Sequence, residues 1–119
     1  MREIKFRGKH LDKWLYGSLH MNESGQPAIA TPSAFHFRCV DPDTVGQYTG
    51  LKDSEGREIY EGDIVQLDGW DKPTVVIWDD RSGMYIVDRD LIFSHVHKFS
   101  KVIGNVHENP SLLESKHDQ

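Results

Sequence analysis

Apolar residues along this chain recur at short intervals, and helical spacing is nearly absent. Between Met1 and Val106, no window of about 11 residues repeats apolar positions at three and four. Short runs of β-branched and aromatic residues instead alternate with clusters of Gly, Pro, Asp and Ser. This pattern predicts an all-β fold.

The predicted strands cover residues 4–8, 13–19, 28–30, 35–40, 46–50, 57–60, 63–67, 74–79, 84–88 and 102–106, with weaker ones at 91–93 and 96–99. In the fourth strand, alternation places Phe35, Phe37 and Cys39 on one face. Residues 74–79 are continuous in apolar side chains, so we expect this strand to be buried on both faces or to be central in its sheet. Residues 22–27 and 68–73 are predicted loops.

The step from Glu61 to Val65 is typical of strand entry in a small SH3-like barrel. Gly62 permits a positive φ, and Asp63 can hydrogen-bond its own backbone to close the turn. We therefore expect an SH3-like barrel over residues 62–110, with an amino-terminal β-rich extension over residues 1–61 packed on it. Residues 111–119 are expected to form a short helix or a frayed tail. Closure of a barrel removes sheet edges, which would stabilise such short strands together.

Several separated motifs, in order, resemble the YopX family of small proteins found largely in phages and prophages. They are IKFRG at 4–8, WLYG at 14–17, QYTGLKD at 47–53, Gly56, EIYEGDIV at 58–65, VIGN at 102–105 and ENP at 108–110. The resemblance implies a mainly β fold and a phage-encoded origin. It implies no activity, substrate, cofactor or catalytic residue. Residues 22–42 and 68–73 lie outside the shared pattern, so features particular to this member are expected there.

Charge is distributed unevenly within a net charge of −5. Residues 1–20 hold five cations and two anions, whereas residues 41–63 hold two cations and seven anions. The whole chain would repel duplex nucleic acid, and only the amino-terminal part would attract it. The same polarity would let the basic face of one subunit meet the acidic face of another.

The single cysteine and the absence of long apolar runs indicate in which cellular compartment the protein is expected. Cys39 has no partner for an internal disulfide, which favours a reducing compartment. We expect it to be a small buried residue, because nothing in the sequence places a base and an orienting group for a nucleophile. No signal peptide or apolar stretch of about 20 residues is visible, so a soluble cytoplasmic protein is expected.

Two histidines and two pairs of acidic residues are the candidates for a catalytic or metal-binding site. His95 and His97 would share one face of a strand, and a third ligand would have to come from His36, His107 or a carboxylate. Were a metal bound, Asp88, Asp90, His95 and His97 would be its first ligands. The pairs Asp79–Asp80 and Asp88/Asp90 fit a turn and an exposed loop better than acid–base catalysis. We expect no metal, no cofactor and no enzymatic activity.

The leading functional hypothesis is a phage-encoded interaction module that binds protein, either itself or a host component. Rigid strands that display variable loops suit this role, and the loops 22–27 and 68–73 would form the contact surface. The expected partner-binding residues are Trp70, Asp71, Lys72, Trp14 and Tyr16. Trp70 lies in a polar loop, where its indole could anchor a partner or fold back over the barrel mouth.

The alternative is a nucleic-acid-binding accessory protein that acts through a basic and aromatic amino-terminal patch. Its cations would be Lys5, Arg7, Lys9 and Lys13, interleaved with the stacking surfaces of Trp14 and Tyr16. Alternation, however, places Ile4 and Phe6 on one face of the strand and Lys5 and Arg7 on the other. That arrangement is ordinary packing with apolar residues inward and charges outward, and it favours the protein-binding hypothesis.

Overall fold

The computed structural model describes residues 3–32, 37–88 and 91–114. Within them, regular structure consists of β-strands and short 3₁₀ helices, and no α-helix is present. The predicted all-β fold is confirmed. No helix in the described ranges is long and apolar enough to traverse a lipid bilayer. The chain forms two compact units, Met1–Gly50 and Leu51–Gln119. The domain limits drawn from the sequence, 1–61, 62–110 and 111–119, stay predictions beside this division.

Five antiparallel strands build the sheet of the first unit, in the order β4-β3-β2-β1-β5. They are β1 (Phe6–His10), β2 (Lys13–Met21), β3 (Pro27–Ala30), β4 (Arg38–Cys39) and β5 (Gly46–Lys52), the last of which ends in the second unit. A 3₁₀ helix, Pro42–Thr44, leads into β5, and the Asp41 carboxylate caps it by accepting from the Asp43 N–H.

Ile29 and Val40 form the buried centre of this unit, and two glycines let the chain approach them closely. Both apolar side chains are almost fully buried. A Cβ on Gly8 would lie 2.7 Å from Val40 Cγ2, and a Cβ on Gly17 would collide with the backbone carbonyl of Ala30. Glycine is therefore required at both positions by space.

The second unit contains seven strands that follow β5. They are β6 (Glu58–Tyr60), β7 (Asp63–Leu67), β8 (Thr74–Val75), β9 (Ile77–Asp79), β10 (Met84–Val87), β11 (Leu91–Ile92) and β12 (Ser100–Asn105). β6 lies beside β5, and the others form two three-stranded antiparallel sheets, β12-β7-β8 and β11-β10-β9. This strand order fits an SH3-like barrel. The core consists of Ile59, Val65, Leu67, Val76, Tyr85, Val87, Phe93 and Val102.

The apolar run at residues 74–79 is two strands, so the prediction of one strand buried on both faces is wrong. The chain changes sheets at Val76, whose N–H donates to the Asp63 carbonyl and whose carbonyl accepts from the Gly62 N–H. Beyond this point Ile77 and Trp78 are 47% and 42% exposed. Ile77 therefore lies on an outer surface, and both β8 and β9 lie at the edge of their sheets.

The predicted strand at residues 96–99 is also wrong. Phe93–His95 and His97–Phe99 are two successive 3₁₀ helices, which drop the fully buried Phe93 ring into the core. The Ser100 hydroxyl donates to the His97 carbonyl and ends the second one. His95 and His97 consequently do not share one face of a strand.

Strand β4 is shorter than predicted, and its burial is reversed. Residues 33–36, which include Phe35 and His36, lie outside the described residues. Phe37 is 46% exposed and Cys39 is exposed, so the expectation of a buried Cys39 is wrong. Val40, on the opposite side of the chain, fills the space over Gly8 instead.

Candidate functional site

The acidic residues of the central motif are used to hold the backbone. Asp53 Oδ1 accepts from the N–H groups of Glu55 and Arg57, both at 2.9 Å, and Oδ2 accepts from the Val102 N–H at 3.0 Å. Burial raises the pKa of Asp53, but these three donors and the Arg57 charge outweigh it and hold that pKa below its ordinary value. Asp53 thus ties the β5–β6 turn to β12.

The Gly62–Asp63 step is a second structural device. Gly62 has a φ of 93°, which confirms the predicted positive φ, and Asp63 Oδ2 accepts from the Tyr60 N–H at 2.8 Å. The Gly62 carbonyl accepts from the Val106 N–H, and the Gly62 N–H donates to the Val76 carbonyl. The turn between β6 and β7 is thereby joined to the residues that directly follow β12 and β8.

The carboxy-terminal motif also serves a turn. The Asn105 side-chain oxygen accepts from the N–H groups of His107 and Glu108, and the Asn109 side-chain oxygen accepts from the Asn105 N–H. A Cβ on Gly104 would lie 2.6 Å from that Asn109 oxygen, so the amide needs glycine beside it. The motifs that carry the family resemblance therefore specify turns and sheet contacts.

The outer surface of the sheet β11-β10-β9 is apolar, and it is the candidate binding surface. Tyr85 and Val87 of β10 point into the core, so the alternate residues Met84 and Ile86 lie on the opposite surface of the sheet, where neighbouring side chains leave Ile86 only 8% exposed. Ile86 pairs across the sheet with Ile77 on one side and Ile92 on the other. We call these four outward residues, Ile77, Met84, Ile86 and Ile92, the isoleucine face. Ile77 and Met84 are 47% and 40% exposed.

Two shallow clefts meet at Ile86. One, of about 390 Å³, is bordered by Ile77, Val75 and Leu113 and by the carboxylate of Asp88. The other, of about 450 Å³, is bordered by Met84 and Ile92 and by the charged side chains of Asp79 and Arg81. Both clefts are open to solvent, which suits the side chains of a protein partner better than a small molecule, since small-molecule sites enclose most of the ligand surface.

Asp79 and Asp80 build the end of this hairpin, as the turn interpretation predicted. The Ser82 hydroxyl donates to Asp79 Oδ2 at 2.7 Å, and with the backbone N–H groups of Ser82 and Arg81 it lowers the pKa of Asp79. Asp80 accepts from the Trp78 indole N–H at 2.8 Å. Asp79 is therefore an anion at neutral pH at the rim of the isoleucine face.

Of the predicted partner-binding loop, only part is available at the surface. Trp70 is half-buried and packs against the core of the second unit, which matches the alternative in which the indole folds back. Gln66 secures the loop by donating from its amide to the Trp70 carbonyl at 2.8 Å. Asp71 and Lys72 are exposed.

Arg7, Lys9, Trp14 and Tyr16 share one face of the first unit's sheet, whereas Lys13, which pairs with His10, belongs to the other face. Arg7 pairs with Tyr16 and Lys9 with Trp14 across β1 and β2. The Arg7 guanidinium lies 4.8 Å and the Lys9 ammonium 5.9 Å from the centre of the Trp14 ring. Both cations therefore stack on the indole, in contacts that are attractive electrostatically.

Burial contradicts the simple inward–outward pattern predicted for β1. Arg7 is 5% exposed and Ile4 is 70% exposed, because the guanidinium is covered by its stack on Trp14 while Ile4 precedes the strand. Lys5 lies 3.4 Å from the Glu3 carboxylate and 5.3 Å from the Tyr48 ring centre. Lys13 and Tyr16 are exposed.

The candidate residues for metal binding that the structure describes do not form a metal site. His97 Nδ1 lies 2.6 Å from the Lys52 carbonyl, so its ring is engaged with backbone. Within the described ranges, no group of three or more His, Cys, Asp or Glu side chains could hold a metal ion. Asp90 and His36 lie outside those ranges.

The comparisons agree with a small β-sheet protein whose motifs serve its fold. A family model described as YopX protein matches residues 5–114. The chain belongs to the YopX family. A solved structure, protein EF1440 from Enterococcus faecalis, is similar, with 27% sequence identity and a TM-score of 0.64. The match covers 96% of this chain and 100% of that one. No relative was found among curated proteins.

Proposed function

We propose that this YopX protein is a non-enzymatic, phage-encoded module of the bacterial cytoplasm that binds protein through the isoleucine face. The observation that carries the proposal is an antiparallel sheet with apolar side chains on both surfaces. Such sheets ordinarily pack one surface on the core and present a polar one to water. Tyr85 and Val87 supply the core side here. On the opposite surface, the exposed Ile77 and Met84 and the partly exposed Ile92 surround the buried Ile86, and they offer apolar area to a second protein surface.

The use of the motif acids supports a role without chemistry. Asp53 and Asp63 are buried and accept hydrogen bonds from backbone N–H groups that the turns would otherwise leave unsatisfied. Carboxylates committed to the backbone in this way are poorly placed to exchange a proton with a substrate, and the lowered pKa of Asp53 keeps that group ionised.

Site-specific photo-crosslinking tests the proposal. A photoreactive amino acid replaces Met84 on the isoleucine face, and the same replacement at the exposed Lys101 of β12 is the matched control. After irradiation in host-cell extract, we expect a nuclease-resistant protein adduct at position 84 that disappears when Ile77→Asp is added. Equal adducts at 84 and 101, or none at 84, would refute protein binding at this face.

Nucleic-acid binding is a second candidate, favoured by one observation. Tyr16 is 43% exposed on the sheet face that also bears Lys9 and Trp14, so a base could stack on its ring beside a cation. Arg7 is buried and stacked on Trp14, which weakens the predicted patch. Retention on single-stranded DNA at about 50 mM salt, lost in a Lys9→Glu/Lys13→Glu variant, would support this candidate. Absence of retention at that salt would dismiss it.

A further inference from the structure

The turn between β1 and β2 carries a leucine in a conformation that leucine rarely adopts. Leu11 has a φ of 55° and is the one non-glycine with positive φ in the described ranges, where Gly25, Gly50, Gly56, Gly62, Gly69 and Gly83 hold the others. Its side chain is 84% exposed, so packing within the described chain does not offset the strain. An exposed apolar residue kept in a strained turn suggests a contact with another molecule.

Basic side chains surround this leucine. Leu11 borders a shallow cleft with the cations Lys13 and Arg38 and one anion, Asp12. His10 is held beside them because its Nδ1 lies 2.7 Å from the Cys39 carbonyl. The turn therefore presents an apolar tip in a setting of net positive charge.

The isoleucine face has the opposite character. It is an apolar surface with clefts, and among the described residues the charged ones that line its clefts are the anions Asp79 and Asp88 and the cation Arg81. Within the described part of the chain, the excess of cations around the leucine tip is thus complementary to the excess of anions around the face. Such complementarity steers encounter and fixes register between surfaces.

We propose that the β1–β2 turn of one copy docks, through Leu11, on the isoleucine face of a second copy. This inference rests on the proposed protein-binding function and names its partner. The two surfaces are different patches of the same chain, so the contact is head-to-tail. It closes into a ring or extends as a chain, whereas a patch that met itself would give a simple dimer.

Solution mass against concentration is the first measurement. For the unaltered protein, we expect the mass from light scattering to rise above that of the 13.7 kDa chain between about 10 μM and about 1 mM, the range of weak association. Leu11→Gly removes the tip and suits the positive φ, so the fold is retained. Ile77→Asp removes the face at a half-exposed site, and Met84→Glu is a second variant of the same surface.

Each of these variants should weaken self-association at least about tenfold, a loss of about 1.4 kcal/mol of binding free energy. Ile103→Asp is the matched control, because Ile103 is 38% exposed and lies on β12, outside the isoleucine face. Its mass curve should follow that of the unaltered protein. Circular dichroism of every variant confirms the fold.

Mixing the two defective chains is the decisive step. Leu11→Gly retains a working face and Ile77→Asp retains a working tip, so an equimolar mixture should form a complex of two chains and no larger species. Any of three results would overturn the inference. The unaltered protein could stay monomeric, the mixture could fail to associate, or association could be lost in Ile77→Asp but not in Leu11→Gly. Association abolished by nuclease would overturn it too, since nucleic acid would then be the link. A monomeric protein that still forms the adduct at position 84 would leave the proposed function standing.

Discussion

Asp53→Asn tests whether the central motif is structural, because it changes charge and one acceptor while preserving shape. The asparagine can keep its oxygen toward the N–H groups of Glu55 and Arg57, where Oδ1 now lies at 2.9 Å from both. Its NH₂ group would then face the Val102 N–H, which Oδ2 now accepts at 3.0 Å. One buried donor loses its acceptor and two further hydrogen bonds lose their charge assistance.

The expected cost follows from that count. A buried donor left unsatisfied costs about 1–3 kcal/mol, and a hydrogen bond to a charged group contributes about 1 kcal/mol more than a neutral one. The free energy of unfolding should therefore fall by about 3–5 kcal/mol at pH 7, out of the 5–15 kcal/mol typical of a small protein.

The pH dependence of that difference has a defined sign. Because the folded-state pKa of Asp53 lies below its ordinary value of 3.8, ionised Asp53 stabilises the fold above that pH. The stabilisation is lost as the pH falls below 3.8 through the lower folded-state pKa. The gap between the unaltered protein and Asp53→Asn should thus narrow in acid.

Urea unfolding followed by circular dichroism, at pH 7 and in steps down to about pH 2.5, measures both quantities. Glu55→Gln is the control in the same turn, since its carboxylate is exposed and only approaches Lys101 at 3.7 Å. It should change stability by less than about 0.5 kcal/mol. A loss for Asp53→Asn as small as that of the control, or a gap that does not change with pH, would refute the structural role of the motif acid.

Three further outcomes follow from the structure. Gly17→Ala should unfold the first unit, because a Cβ there would collide with the Ala30 carbonyl. Gly25→Ala has nothing within 4 Å of its Cβ, so it should lower the free energy of unfolding by only about 1 kcal/mol, because of its positive φ. Thermal unfolding in which the two variants are equally destabilised would contradict this. Cys39 should react with a thiol reagent in the folded protein as fast as in urea, since it is exposed, and strong protection would show the structure of β4 to be wrong. Asn105→Ala should lower the free energy of unfolding by about 1–3 kcal/mol through loss of the acceptor for His107 and Glu108, while Glu108→Gln should leave it nearly unchanged.

Local patterns predicted the strands well, because period-two alternation and turn residues act over a few neighbours. The sequence predicts Asp63–Leu67 with its observed limits, and it places at position 62 a glycine, which permits the positive φ observed there. The run 74–79 failed for a non-local reason. Only the hydrogen bonds of Val76 to Gly62 and Asp63 show that the chain changes sheets there.

The candidate site was missed for the same reason. The isoleucine face depends on the register of three strands, which places Ile77, Ile86 and Ile92 side by side. The apolar character of residues 74–79 is visible in the sequence, but there it predicts a strand that is central or buried on both faces. One sequence signal points to this surface: the two strands on either side of the turn at Asp79 and Asp80 contain more apolar residues than one buried face requires. The burial of Arg7 was missed for the same reason, since it depends on strand register: the pairing of Lys9 with Trp14 across the sheet brings the indole beside the Arg7 guanidinium.

Isoleucine methyl NMR measured over a concentration series tests the central claim most directly, because it observes the proposed surface residue by residue. The methyl resonances of Ile77, Ile86 and Ile92 should shift or broaden as the concentration rises, while those of the fully buried Ile59 and Ile64 stay constant. The Leu11→Gly variant should abolish these shifts. Resonances of Ile77, Ile86 and Ile92 that do not respond to concentration, or shifts confined to Ile4 and Ile103, would contradict the account.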